Sequence, residues 1–313
     1  MIRYYTKTYR RFMELEQEAE AAWTHISPPF DQGELSAFSE IHNIPLDFLT
    51  DSLDIDERSR YEREENANLI LVNTPLLNEQ LKENEALYYT APIGIILIKD
   101  KIVTITGREN PIFDKFLADK VKNFDPKDSK LFVLQLFEQN VLRFLECLKK
   151  LNLKRNLIEH ELYNSSRNKE LKELLRIEKS LVYFVNSLSA NELLKMKMKR
   201  TDLLNIRDLE FHADLFEDVI IDNSQALEMS NVHTNILGGT MEAYASIISN
   251  NMNAVVNRLT IITITLMVPT LVYSFYGMNV PMPGMENPYA YIYILVISTL
   301  IVLGLLFFIT KKR

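Results

Sequence analysis

The chain has 313 residues, a formal net charge of −7 and a single cysteine, Cys147. Such a length accommodates one large or two ordinary domains, and the acidic balance argues against a nucleic-acid binder, whose recognition face is basic. One cysteine excludes an internal disulfide framework and a cysteine-rich zinc site.

Residues 1–125 read as a mixed α/β domain. Ile2–Tyr9 alternates loosely, as an edge strand does, and Ala22–Ile26 is a second short strand. Asp31-Gln32-Gly33-Glu34 has capping-box spacing, and Leu35, Phe38 and Ile41 follow at helical intervals. A second short helix starts at Pro45, a residue suited to a first helical turn. Leu69–Val72 is apolar enough for a strand, while Ile93–Ile98 and Ile102–Thr106 flank Lys99-Asp100-Lys101 as a hairpin. These elements predict one sheet covered by helices.

From about Asp128 the pattern becomes helical throughout. Leu134, Phe137, Val141, Phe144 and Leu148 form a stripe, with Cys147 a small apolar filler beside it, and Asn164-Ser165-Ser166 is a turn. Residues 126–200 therefore read as an antiparallel helical hairpin. It is basic, with 13 Lys and Arg against 6 Glu between Lys149 and Arg200. Residues 201–258 reverse that balance, with nine acidic residues against Arg207 and Arg258. Apart from Gly238-Gly239, nothing breaks a helix that starts near Asp208 and continues into the apolar region beyond. Nearly 70 residues at about 1.5 Å each make a rod on the order of 100 Å long, which needs partners to bury its faces.

No charge occurs from Leu259 to Met285, and after Glu286 none occurs until Lys311. A bilayer core takes about 20 apolar residues in a helix. Residues 259–276 and 289–310 meet that requirement, joined by a connection at 277–288 without Lys or Arg. The N-terminus has no signal-peptide core. Arg258 before the first span, and Lys311-Lys312-Arg313 after the second, place both termini on the cytoplasmic side of a cell membrane. Tyr289, Tyr291 and Tyr293 suit an interfacial aromatic belt.

The helix next to the first span carries Ser246, Ser249, Asn250, Asn251, Asn253 and Asn257, which helix propensity does not favour. Such neutral hydrogen-bonding groups suit a water-filled passage, because they offer oxygen to a hydrated cation without trapping it. Steps of three or four from Asn253 reach Val256, Leu259 or Thr260, Thr263, Met267, Thr270, Ser274 and Gly277. Intramembrane threonines also bond back to their own helix, so each alone has a structural reading. Val256, Leu259 and Met267 either pack against helices or form an apolar constriction.

Beyond this face comes Tyr276-Gly277-Met278-Asn279. An aromatic followed by Gly-Met-Asn, at the outer end of the first of two C-terminal spans, resembles the filter motif of the CorA magnesium transporters. The resemblance covers essentially the whole chain. Mg²⁺ binds oxygen at about 2.0–2.1 Å and sheds water reluctantly. A ring of Asn279 carboxamides with the carbonyls of Gly277 and Asn279 would contact the hydrated ion through its waters. Met278 need not touch the ion, and Gly277 also fits an ordinary helix C-cap.

The resemblance implies a homopentameric funnel in the inner membrane. It matches Asn253, Val256, Leu259, Thr263, Met267, Thr270 and Asn279 to pore-lining positions. Met285-Glu286-Asn287 looks like the family's acidic outer loop, where Glu286 draws cations to the mouth or is simply solvated. The family also senses intracellular Mg²⁺ at subunit interfaces. Phe216-Glu217-Asp218-Val219 looks like the stalk part of that site, with Asp214 and Asp222 four residues either side of Asp218; a solvated acidic face explains the same residues. The implied activity is passive Mg²⁺ uptake, with Co²⁺ and Ni²⁺ as further substrates and no enzyme chemistry. No GxxxxGK[ST] loop suggests ATP coupling. The competing readings are a Zn²⁺ transporter or divalent efflux protein, and a membrane-anchored scaffold or sensor. Met278 argues against the zinc branch, and the scaffold leaves the polar face unexplained.

Overall fold

The structure is a computed structural model describing residues 1–8, 11–64, 66–79, 85–99, 101–164, 168–280, 284 and 287–311. It divides into two compact units, Met1–Met241 and Glu242–Arg313.

The first unit is built on a seven-stranded sheet in the order β2-β1-β3-β7-β6-β5-β4. Its strands are β1 (Ile2–Thr8), β2 (Arg11–Leu15), β3 (Trp23–Ile26), β4 (Arg60–Arg63), β5 (Asn68–Leu77), β6 (Tyr88–Ile98) and β7 (Lys101–Thr106). All neighbours are antiparallel except β3 and β7. The expected β6–β7 hairpin forms, whereas β1 is not an edge strand. It lies between β2 and β3, and the outer strands are β2 and β4. Both are short and carry Arg and Glu, the composition that keeps an edge from pairing further and that hides it from an apolar-pattern search.

Alternation along β3 and β7 sends side chains to two cores. On one side Ile26, Val103 and Ile105 pack with Leu35, Phe38, Phe48 and Leu49 of α1 (Gln32–His42) and α2 (Leu46–Asp51). Asp31 caps α1 by accepting from the Gly33 amide at 3.0 Å. Ile41, at a helical interval from Phe38, is nonetheless 75% exposed. On the other side Trp23 meets Phe113 of α3 (Pro111–Leu117) and Phe132 of α4 (Ser129–Asn164), with ring centroids 6.1 and 5.0 Å away. Antiparallel to α4 runs α5 (Asn168–Thr201). Leu134, Phe137, Val141, Phe144, Cys147 and Leu148 are all buried, and burial raises the Cys147 thiol to about 11.

One side chain docks α5 on the sheet where β4 stops. The Asn191 carboxamide accepts from the Asn73 amide at 3.0 Å and donates to the Asn73 carbonyl at 2.8 Å. It thereby does for β5 what a further residue of β4 would have done.

The helix α6 runs from Glu210 to Tyr276. Within the first unit its buried residues are Phe216, Val219, Ile220, Asn223, Ala226, Ser230 and Leu237, which fall on one side of the helix at about 100° per residue, as a packed face requires. In the second unit α6 packs against α7 (Ala290–Lys311). Pro269 sits inside α6 and has no N–H for the Thr265 carbonyl.

Candidate ion pathway and acidic stalk face

Helices α6 and α7 each carry a stretch long and apolar enough to cross a membrane, with mean hydropathies of 1.7 and 2.6, and almost none of either is buried. A helix that apolar and that exposed needs a lipid or protein partner. Their mutual contact uses narrow ridges. On α7 the partly or fully buried positions among the described side chains are Ala290, Ile294, Ser298, Val302 and Leu306, one every four residues. On α6 they are Ile261, Ile264, Thr265, Val268, Pro269, Val272 and Tyr276.

The sequence-derived pore residues lie on the other side of α6. At about 100° per residue, Val256, Leu259, Thr263, Met267 and Thr270 cluster around one direction, with Asn253 at its margin. The α7 contact centres roughly opposite. Asn253, Val256, Leu259, Thr263, Met267 and Thr270 are all exposed, as are Gly277, Met278 and Asn279. One helix thus gives one face to α7 and leaves the contrary, mixed polar face uncovered.

The threonines on and beside this face have defined hydroxyl directions. Thr260, Thr263 and Thr270 donate to the carbonyls of Val256, Leu259 and Leu266 at 2.9, 2.8 and 2.7 Å. Each proton is therefore held by the helix, and each oxygen presents acceptor lone pairs. A hydrated cation has the matching chemistry, because its outward groups are water protons.

Helix α6 ends at Tyr276, and the Gly277 amide still bonds the Tyr273 carbonyl at 2.9 Å. Gly277 is not in the left-handed region a glycine C-cap uses; the described glycine with positive φ is Gly284, at 87°. The chain leaves the helix at Gly277 with ordinary backbone. Glu286 lies outside the described residues, as do Lys312 and Arg313.

In the first unit, Asp214 and Asp218 are exposed and lie about 170° and about 130° from the buried face of α6, whereas Asp222 is half-buried toward its side. Among the described residues no three His, Cys, Asp or Glu side chains gather as a metal site. The trio supplies one wall of a site at most. His212 turns to Asp128, with Nε2 at 3.2 Å from Oδ2, and Glu217 pairs with Lys199. A cleft of about 1660 Å³ elsewhere in this unit, lined by Arg58, Arg108, Tyr183 and Leu193 among others, contains none of the residues singled out from the sequence.

Sequence reasoning missed Lys195. Its side chain is fully buried, with Nζ donating to Asn223 Oδ1 of α6 at 2.6 Å and lying 5.5 Å from the Phe137 ring centroid of α4. Burial lowers the ammonium to about 7, with Glu192 opposing the shift. Read as one more charge of a basic helix, it gave no signal except its helical register with Leu188 and Leu181.

An α/β unit, two helices long and apolar enough to cross a membrane, and an oxygen-bearing face turned from the intrachain contact fit the class of membrane ion transporters. The comparisons give its family. Residues 18–313 match the family model described as CorA-like Mg²⁺ transporter protein, and the chain belongs to that family. The cobalt/magnesium transport protein CorA of Methanocaldococcus jannaschii is 26% identical over 286 residues, covering 90% of this chain and 87% of the relative. A magnesium transport protein CorA of Helicobacter pylori is 25% identical over 258 residues, covering 79% and 77%. The complete structure of the M. jannaschii CorA magnesium transporter superposes with a TM-score of 0.80 at 21% identity, over 100% of this chain and 98% of that one. Full-length CmaX superposes with a TM-score of 0.73 at 17% identity, over 99% and 97%.

Proposed function

We propose that this chain forms a homopentameric channel in the inner membrane, both termini cytoplasmic, which admits Mg²⁺ and also Co²⁺ and Ni²⁺ down the membrane potential. The observation that carries this reading is the uncovered face of α6, opposite its α7 contact, with Thr hydroxyls that donate to their own helix and keep acceptor lone pairs free. Copies arranged around an axis would turn that face inward, with Asn253, Val256, Leu259, Thr263, Met267 and Thr270 along the passage. Gly277, Met278 and Asn279 form the outer filter, and the charge of Glu286, in the sequence that follows, attracts cations to it. Names of relatives that specify magnesium and cobalt support the cargo.

The chemistry favours passage of a hydrated ion. A doubly charged ion crossing about 100 mV gains roughly 4–5 kcal/mol, which needs no coupled reaction. Carboxamide and hydroxyl oxygens accept from its waters without the strong attraction of a carboxylate ring. Regulation is by cytoplasmic Mg²⁺ at Asp218, assisted by Asp214 and Asp222, with the remaining ligands from a neighbouring copy. Bound Mg²⁺ neutralises these carboxylates and draws the stalks together; without it their repulsion separates them.

The decisive experiment measures Mg²⁺ entry into liposomes containing the purified full-length protein. Asn279→Ala abolishes entry or changes its ion preference. Wild-type entry and preference in that variant would falsify the filter assignment, and no entry in folded wild type would favour a membrane-anchored scaffold.

A further inference from the structure

Tyr273 joins α7 to the segment that follows α6. Its phenol lies 3.2 Å from Ser298 Oγ on α7. Ser298 is 1% exposed and already donates its proton to the Leu295 carbonyl at 3.0 Å. Each hydroxyl has one proton and can accept as well as donate, so the pair is hydrogen-bonded with either oxygen as donor, and with Tyr273 donating Ser298 keeps its bond to Leu295. The main chain of the same tyrosine faces the other way along the helix. Its carbonyl receives the Gly277 amide at 2.9 Å, and a Cβ on Gly277 would stand 3.2 Å from that oxygen.

We infer that the Tyr273–Ser298 hydrogen bond is a positioning contact for transport, fixing the rotation of the α6 end on α7 and thereby the placement of Gly277, Met278 and Asn279. This rests on the filter reading given above. Thr260, Thr263, Thr265 and Thr270 donate to carbonyls of their own helix rather than to α7. Tyr273 instead crosses to a buried partner. Interhelical hydrogen bonds in membranes add modestly to association, and a phenylalanine ring would fill the same space. What the hydroxyl adds is direction: it ties one rotational setting of α6 to a fixed point on α7, one turn before the filter. Neither residue belongs to the filter tripeptide, and the route from them to it is the backbone bond between the Gly277 amide and the Tyr273 carbonyl.

The test uses the full-length protein in liposomes, with initial Mg²⁺ and Co²⁺ entry measured separately and Asn279→Ala as reference. Tyr273→Phe and Ser298→Ala each change the Mg²⁺-to-Co²⁺ ratio by about threefold or more, the effect of one ordinary interhelical hydrogen bond. The double variant goes no further than either single change, and Ser298→Thr, which keeps a hydroxyl, retains the wild-type ratio. A merely structural contact would lower the amount of folded protein or the total entry and leave the ratio alone, and that result overturns the inference. So do independent, multiplicative effects in the double variant. If Asn279→Ala shifts the ratio and Tyr273→Phe does not, the filter stands and the positioning contact falls; if Asn279→Ala itself leaves the ratio unchanged, the filter reading fails and takes this inference with it.

Discussion

Replacing Lys195 with methionine should make the first unit more stable, although it removes a hydrogen bond. Lys195 is fully buried, and its Nζ has Asn223 Oδ1 and the Phe137 ring as neighbours, both uncharged. Burial lowers its pKa from 10.5 to about 7. The unfolded chain therefore keeps the proton up to about 10.5, whereas the folded chain holds it only below about 7. Between those values unfolding takes up a proton, so stability rises with pH; below about 7 both states are charged and the full cost of burial applies. At about 1.4 kcal/mol per pH unit, that cost is roughly 5 kcal/mol. Methionine, of similar length, removes it but leaves Asn223 Oδ1 without its donor, which costs about 1–3 kcal/mol. Asn223 cannot easily turn away, because its Nδ2 donates to the Leu188 carbonyl at 3.0 Å. The net gain is about 2–4 kcal/mol at pH 7.

The assay is denaturant unfolding of the full-length protein in detergent, followed by the fluorescence of Trp23, the chain's single tryptophan, which is buried in the first unit. The difference between variant and wild type should shrink by about 3 kcal/mol from pH 7 to pH 9.5, because the wild type alone recovers. Two results would refute the reasoning: a Lys195→Met protein less stable than wild type at pH 7, or a difference between the two that is constant across the range. Either would mean that the buried ammonium is stabilised by more than Asn223, the Phe137 ring and the opposing charge of Glu192.

Two further predictions concern the same unit. Gly94→Ala should destabilise it by about 3 kcal/mol or more, since overpacking a closed core forces backbone to move; the new Cβ would fall 2.0 Å from Ser52 Oγ and 2.7 Å from Ile105 Cγ2, and thermal unfolding gives the measurement. On the proposed regulation Mg²⁺ protects the full-length protein from proteolysis, and Asp218→Ala should weaken that protection while leaving digestion without Mg²⁺ unchanged. Undiminished protection in that variant would count against Asp218 as a regulatory ligand.

Much of the architecture is dictated locally. The β6–β7 hairpin, the capped helix after Asp31 and the two apolar spans follow from turn chemistry, side-chain period and length, which act between residues close in sequence. The face of α6 bearing Thr263, Met267 and Thr270 is likewise legible, because helical periodicity places residues three and four apart on one side. The sequence also carries the Tyr276-Gly277-Met278-Asn279 motif, though not the backbone of Gly277, whose glycine suggests a left-handed cap that the fold does not use. β2 and β4 escape notice because Arg and Glu belong on a sheet edge, and nothing local says where an edge will be.

Tertiary packing decided the rest. Whether the polar face of α6 is covered depends on which side α7 takes, and the ridge of Ile294, Ser298, Val302 and Leu306 takes the opposite one. Lys195 looks like any solvated lysine until α4 and α6 close over it, and Asn191 looks like an ordinary helix residue until β4 ends beside it. Sequence determines periodicity, charge and turn chemistry because these act within a few residues. Burial and partnership of a polar group depend on chain segments far apart, and only their meeting fixes whether an amide, a hydroxyl or an ammonium is a surface group or part of the interior.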